Sequence, residues 1–230
     1  MRASLLVGLI ASLVSGCALL GKSDPLVPRY FMPQDEAGAK VAKPRPDLQL
    51  RLGRVESWSH LRERIVTRTS DRELRYSEDR RWTERPEVYL RRALSRALFE
   101  ERGLVESLSG RAITLDVELI AFEEIDARAA AGREVPASAR LQAQLVLRDD
   151  RTGLLEETIT VDEPVAKSAE ADRAAAVVDA LSQALHEGVR QIADRVVARL
   201  SEPASPTPPA SPGPHASPGS RASPGSRAGN

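Results

Sequence analysis

The chain has 230 residues, with 33 basic and 33 acidic side chains, three histidines and one cysteine. Balanced charge excludes the one-sided basic excess of a nucleic-acid binder. Aromatics make up 3%, too few for a stacking surface that reads bases or sugars, and a single cysteine forms no internal disulfide.

Residues 1–16 read as a short secretion signal. Arg2 supplies the positive start, Leu5 to Val14 carries no charge, and Ser15-Gly16 precede Cys17. The apolar run is too short for a bilayer span, which needs roughly 20 residues. A small-small-Cys ending resembles the lipobox of bacterial lipoproteins, in which the cysteine is acylated and becomes the first mature residue. Cys17 is therefore the expected lipid attachment site, and two or three acyl chains anchor stably. The plainer reading is a secretory signal with an incidental cysteine. Ala18 follows Cys17, where an aspartate would resemble the inner-membrane retention signal, so the expected location is the outer membrane, facing the periplasm.

Residues 17–47 hold Gly21, Pro25, Pro28, Pro33, Gly38, Pro44 and Pro46 and read as a tether. Arg29-Tyr30-Phe31-Met32 interrupts it as a short β-prone run. The folded domain is expected over 48–200. Leu48, Leu50 and Leu52 alternate with polar neighbours, as in a half-buried strand. Residues 65–69 and 73–76 flank Ser70-Asp71-Arg72 as a hairpin. From Glu84 to Arg102 the period changes, and Leu90, Ala93, Leu94, Ala97 and Leu98 form one helical stripe. Pro86 suits the first turn and Gly103 the end.

Three more strands are expected. Ile113, Leu115, Val117, Leu119 and Ala121 form one apolar row, with Asp116, Glu118 and Phe122 in the other. Ala139, Leu141, Ala143, Leu145 and Leu147 form the second, and Leu155, Ile159, Val161 and Val165 the third. Glu123 to Ser138 reads as a charged connection. A final helix starts at a Ser168 cap, with Glu170 and Asp172 in its first turn, and keeps helical spacing to Leu200. Residues 201–230 contain eight Pro, four Gly and seven Ser, and the expected state of this tail is disorder.

Catalytic signals are sparse. His60, His186 and His215 have no metal-ligand spacing. There is no Gly-x-Ser-x-Gly elbow and no glycine-rich phosphate loop. The doublets Glu123-Glu124, Asp149-Asp150 and Glu156-Glu157 read as solvated charge at strand ends or turns, and Asp116 and Glu118 as exposed. No catalytic residue, metal ligand or cofactor is expected. Seven arginines fall between 62 and 81, mixed with Glu63, Asp71, Glu73, Glu78 and Asp79. They mark either a docking hairpin or an edge kept soluble by charge. The docking candidates are Ile65, Val66, Arg68, Arg75, Tyr76 and Trp82, although a tryptophan in the place of Trp82 is more often a core residue covering the sheet edge.

In this order the elements resemble the ABC-type transport auxiliary lipoproteins of the paraquat-inducible protein C type. The resemblance begins at the Cys17 lipobox and Arg29-Tyr30-Phe31 and is strongest over Leu50 to Leu98. It runs through Leu52-Gly53-Arg54-Val55, His60-Leu61, Ile65 to Thr69, Leu74-Arg75-Tyr76 and Arg81 to Pro86. The usual Tyr-Tyr-x-Leu is here Tyr30-Phe31-Met32-Pro33, a departure that shortens the strand. The resemblance implies an α/β fold, a mainly antiparallel sheet of about five to six strands with two helices on one face. It implies a non-enzymatic periplasmic component, with an ABC permease and ATPase and an MCE-domain lipid carrier as partners. A second copy of the chain is a further candidate partner. The other readings are a stand-alone envelope lipoprotein on peptidoglycan and a lipid-anchored hydrolase.

Overall fold

The computed structural model describes residues 25–34, 41–108, 112–126, 136–150, 152–167 and 173–202. Cys17 and the signal, the Ser168 cap with Glu170 and Asp172, and the tail beyond Glu202 lie outside them.

The elements run β1 (Arg29–Phe31), β2 (Arg45–Ser57), β3 (Arg64–Ser70), β4 (Glu73–Trp82), α1 (Pro86–Ser95), a π-helical turn (Arg96–Glu101), β5 (Leu104–Glu106), β6 (Thr114–Ile125), β7 (Ser138–Asp149), β8 (Thr152–Pro164) and α2 (Arg173–Ser201). Among the described residues eight strands form the sheet, more than the five to six expected. Three-residue β5 adds to the count, and so does β1, which joins the end of β4 in parallel.

β6 is the spine of this sheet. One of its edges pairs antiparallel with β7, which pairs antiparallel with β8. Its other edge is shared: β2 runs parallel to residues 114–119 and β3 parallel to 123–125. The antiparallel ladders carry most of the paired length. β2 starts at Arg45, ahead of the expected boundary, because Arg45 N–H donates to Gly103 O at 2.7 Å and Ala42 N–H to Glu100 O at 2.8 Å. Gly103 adopts φ +69°, and a Cβ there would stand 2.3 Å from Lys43 O, so glycine both ends the helix and admits this segment.

Both helices cover one face. Leu90, Ala93, Leu94, Ala97 and Leu98 of the first helical segment are buried, and each large apolar side chain removed from water contributes about 1.5–3 kcal/mol. Arg102 N–H bonds to Ala97 O at 3.1 Å, the wide spacing of a π turn. α2 spans 29 residues, about 43 Å at helical rise, and lies over β7 and β8. Gly188 lets it approach closely, since a Cβ there would meet Leu141 Cδ2 at 2.6 Å.

One expected strand pattern fails. The β6 register shifts between Leu119 and Ala121, so a bulge exchanges the two faces. Phe122, expected opposite the core row, turns to the helix side and packs 5.3 Å from the Trp82 ring. Glu123, Glu124 and Ile125 belong to β6 rather than to the expected connection.

Candidate functional site

The hairpin expected to dock a partner is β3–β4. β3 is an interior strand between β4 and β6, while among the described residues the outer edge of β4 is paired only at residues 80–82, by β1. Alternation sends Ile65 and Val66 to opposite faces, yet both are fully buried. Trp82 is 1% exposed and packs on Phe122 and edge-on to Tyr89. The Tyr89 hydroxyl in turn accepts the Glu84 N–H at 2.8 Å and bonds Thr83 Oγ1 at 2.8 Å. The docking assignment of Ile65, Val66 and Trp82 is therefore corrected: their side chains sit in the core, out of a partner's reach. Arg75 and Tyr76 are exposed, Tyr76 by 40%.

Arg68 is engaged internally. Its Nε donates to Glu123 Oε1 at 2.6 Å. The acid doublet at the end of β6 is not solvated, as expected from sequence, but buried: Glu123 is 0% and Glu124 4% exposed. Because they are neighbours on a strand, they reach opposite faces. Glu124 turns to the helix side, pairs with Arg173 of α2, accepts Thr67 Oγ1 at 3.2 Å and faces Arg80 Nη1 at 4.0 Å. Glu123 turns to the other face, directly across from Arg140 of β7, which grips Asp162 of β8 at 2.7 and 2.9 Å. Arg68, Glu123, Arg140 and Asp162 thus alternate in charge across four strands. The Asp162 bonds, then the Asp162 and Glu123 charges, hold the Arg140 guanidinium above its ordinary value against a burial cost.

Among the described residues, two buried polar atoms on this ladder have no hydrogen-bond partner, Glu123 Oε2 and His60 Nε2. His60 stands in the loop joining β2 to β3, edge-on to Trp58 at 6.1 Å. Burial pushes its pKa below the ordinary value, the Glu123 charge pushes it back up and Arg68 pushes it down again. Asp116, expected exposed, is half-buried as well: it accepts the Arg54 N–H at 2.7 Å and pairs with Arg148 at 2.7 Å.

Between the helices lies an open groove of about 420 Å³, lined by Ala93, Ala97, Arg102, Glu187 and Arg190. Two of its arginines are paired, Arg102 with Asp194 at 2.8 Å and Arg190 with Glu187 at 2.6 Å. No helix among the described residues is long and apolar enough to cross a membrane. Sequence reasoning missed Glu123, Glu124, Arg140 and His60 as a group. The available signal was the doublet's place directly after an unbroken apolar strand, where two adjacent acids need partners on both faces.

A single forked sheet with both helices on one side defines the class of α/β domain. It is shared with the crystal structure of protein XCC0632 from Xanthomonas campestris, of the DUF330 family, at 20% identity and a TM-score of 0.59, covering 74% of this chain and 96% of that one. A second solved structure, of an uncharacterized protein, has 16% identity and a TM-score of 0.52, covering 74% of this chain and 99% of that one. No curated protein sequence matches the chain. The sequence pattern of the ABC-type transport auxiliary lipoprotein component family matches residues 30–193; the chain belongs to that family. Membership implies a membrane-anchored place in the envelope and association with an ABC transport system.

Proposed function

We propose that this chain is the non-enzymatic, lipid-anchored subunit of an ABC/MCE-type system that moves lipids or other hydrophobic molecules between membranes. Cys17 carries the acyl anchor, and the outer membrane holds it on the periplasmic side. The observation that carries this reading is the family match, which spans the sheet, α1 and α2 as far as Ala193 rather than one motif. The buried charge ladder supports a structural role for the polar side chains most conspicuous in the chain. Docking then falls to the exposed part of the hairpin, Arg75 and Tyr76, beside the open stretch of β4. An edge strand accepts a partner through main-chain hydrogen bonds, with side chains selecting the partner.

Co-purification from detergent-solubilised envelopes tests this. The wild-type chain should recover an ABC permease, its ATPase and an MCE-domain protein. Arg75→Glu should lower recovery in a salt-dependent way while circular dichroism stays unchanged, because an exposed charge contributes little to stability. Recovery of the chain without any transport component contradicts the proposal.

A further inference from the structure

Three residues stand side by side across the outer strands on the face away from the helices. Tyr30 of β1 is the register partner of Arg81 of β4, and Arg81 is the register partner of Arg64 of β3. Directly opposed residues have their Cβ atoms about 5 Å apart and share a face, and like charges so placed repel. Among the described residues neither Arg64 nor Arg81 has an ion-pair or side-chain hydrogen-bond partner, and Arg81 Nε is buried with none. The contrast with Arg68, Arg80 and Arg140 is sharp, since each of those faces a carboxylate. The nearby acid Asp79 is occupied, accepting Ser77 Oγ at 3.1 Å. The row ends in Tyr30, 63% exposed.

A pair of opposed guanidiniums with no internal counter-charge is complementary to an incoming anion. Their planar forks suit a carboxylate in bidentate geometry. The setting favours a polypeptide as its source. β1 supplies only three residues, so among the described residues no strand pairs with the outer edge of β4 from Glu73 to Asp79. An extended segment would satisfy these main-chain groups while placing an acid over the row; a lipid headgroup would use the guanidiniums alone. Tyrosine and arginine are also the side chains enriched where protein partners bind most strongly.

We propose that Tyr30, Arg81 and Arg64 form a carboxylate clamp for an acidic side chain of an extended partner segment lying along the β1–β4 edge. This deepens the docking role and rests on it for the partner's identity, though the clamp itself rests only on the geometry above.

The test uses the full-length chain in detergent and a labelled peptide of alternating Glu and Thr, whose acids share one face of a strand. Binding is read by fluorescence anisotropy. Arg64→Gln and the Arg64→Gln/Arg81→Gln pair should each weaken it about tenfold or more. Arg195→Gln, on α2, should not change it. The Gln–Thr peptide should bind no better than the Glu–Thr peptide binds the paired variant. If the paired variant loses its fold by circular dichroism, Arg64→Gln alone decides, because that side chain is exposed. Equal affinity in Arg64→Gln and wild type overturns the clamp. So does competition by dihexanoyl phosphatidylglycerol or inorganic phosphate as strong as by unlabelled peptide, which would assign the row to phosphate. Should the peptide track Arg64 while envelopes yield no transport component, the clamp stands and the assigned partner falls.

Discussion

Arg68 Nε lies 2.6 Å from Glu123 Oε1, joining the middle of β3 to the end of β6. The arginine is 26% exposed and the glutamate 0%, so the two partners are not equivalent. Removing Arg68 leaves a buried carboxylate whose other oxygen, Oε2, already lacks a partner among the described residues. Removing Glu123 leaves an arginine that water can reach. Arg68→Ala should therefore cost about 2 kcal/mol of stability, more than Glu123→Ala beyond its lost packing. Urea denaturation of both single variants and the double variant measures this, and an equal or inverted order would show that Glu123 is not held by Arg68.

Trp82 offers a second check. It packs between Phe122 and Tyr89 and is buried, so Trp82→Ala should destabilise the domain by about 3–5 kcal/mol. A variant that keeps wild-type stability yet loses partner recovery would return Trp82 to a docking surface.

His60 makes the fold sensitive to mild acid. Burial is the largest influence on it and lowers its pKa from the ordinary 6.5. The unfolded chain then binds a proton more readily than the folded one in the window below that value. Stability is accordingly greatest above about pH 6.5 and falls as pH drops towards the lower folded value. His60→Gln should flatten this part of the profile. Glu187, held low by hydrogen bonds from Arg190 and Gln191, acts with the same sign in a lower window, below its ordinary 4.5, so the two separate in chemical melts taken at stepped pH. An unchanged slope in His60→Gln would show that the imidazole is not titrating with folding.

Much of the fold was legible in the chain because it is written in local periodicity. The Leu90 to Leu98 stripe, the strict alternation of Ala139 to Leu147 and the long spacing of α2 all rest on neighbours within a few residues. What was not legible depends on pairing across distance. The β6 bulge has no marker near Ile120, yet it moves Phe122 to the core and decides that Glu124 rather than Glu123 faces the helices. β5 is three residues long and exists only because β2 runs beside it. The arginine cluster was visible, but its division into internal partners, Arg68 and Arg80, and the unpaired pair Arg64 and Arg81 follows from register alone.

Photo-crosslinking from position 76 in intact cells asks about partner and surface in one readout. With a photoreactive residue in place of Tyr76, mass spectrometry of the adducts should identify an MCE-domain protein or ABC component. The same probe at Arg195, on α2, should give none. Adducts confined to peptidoglycan, or absent from position 76 while the chain is folded and anchored, would contradict the assignment of this chain to a transport assembly through its hairpin edge.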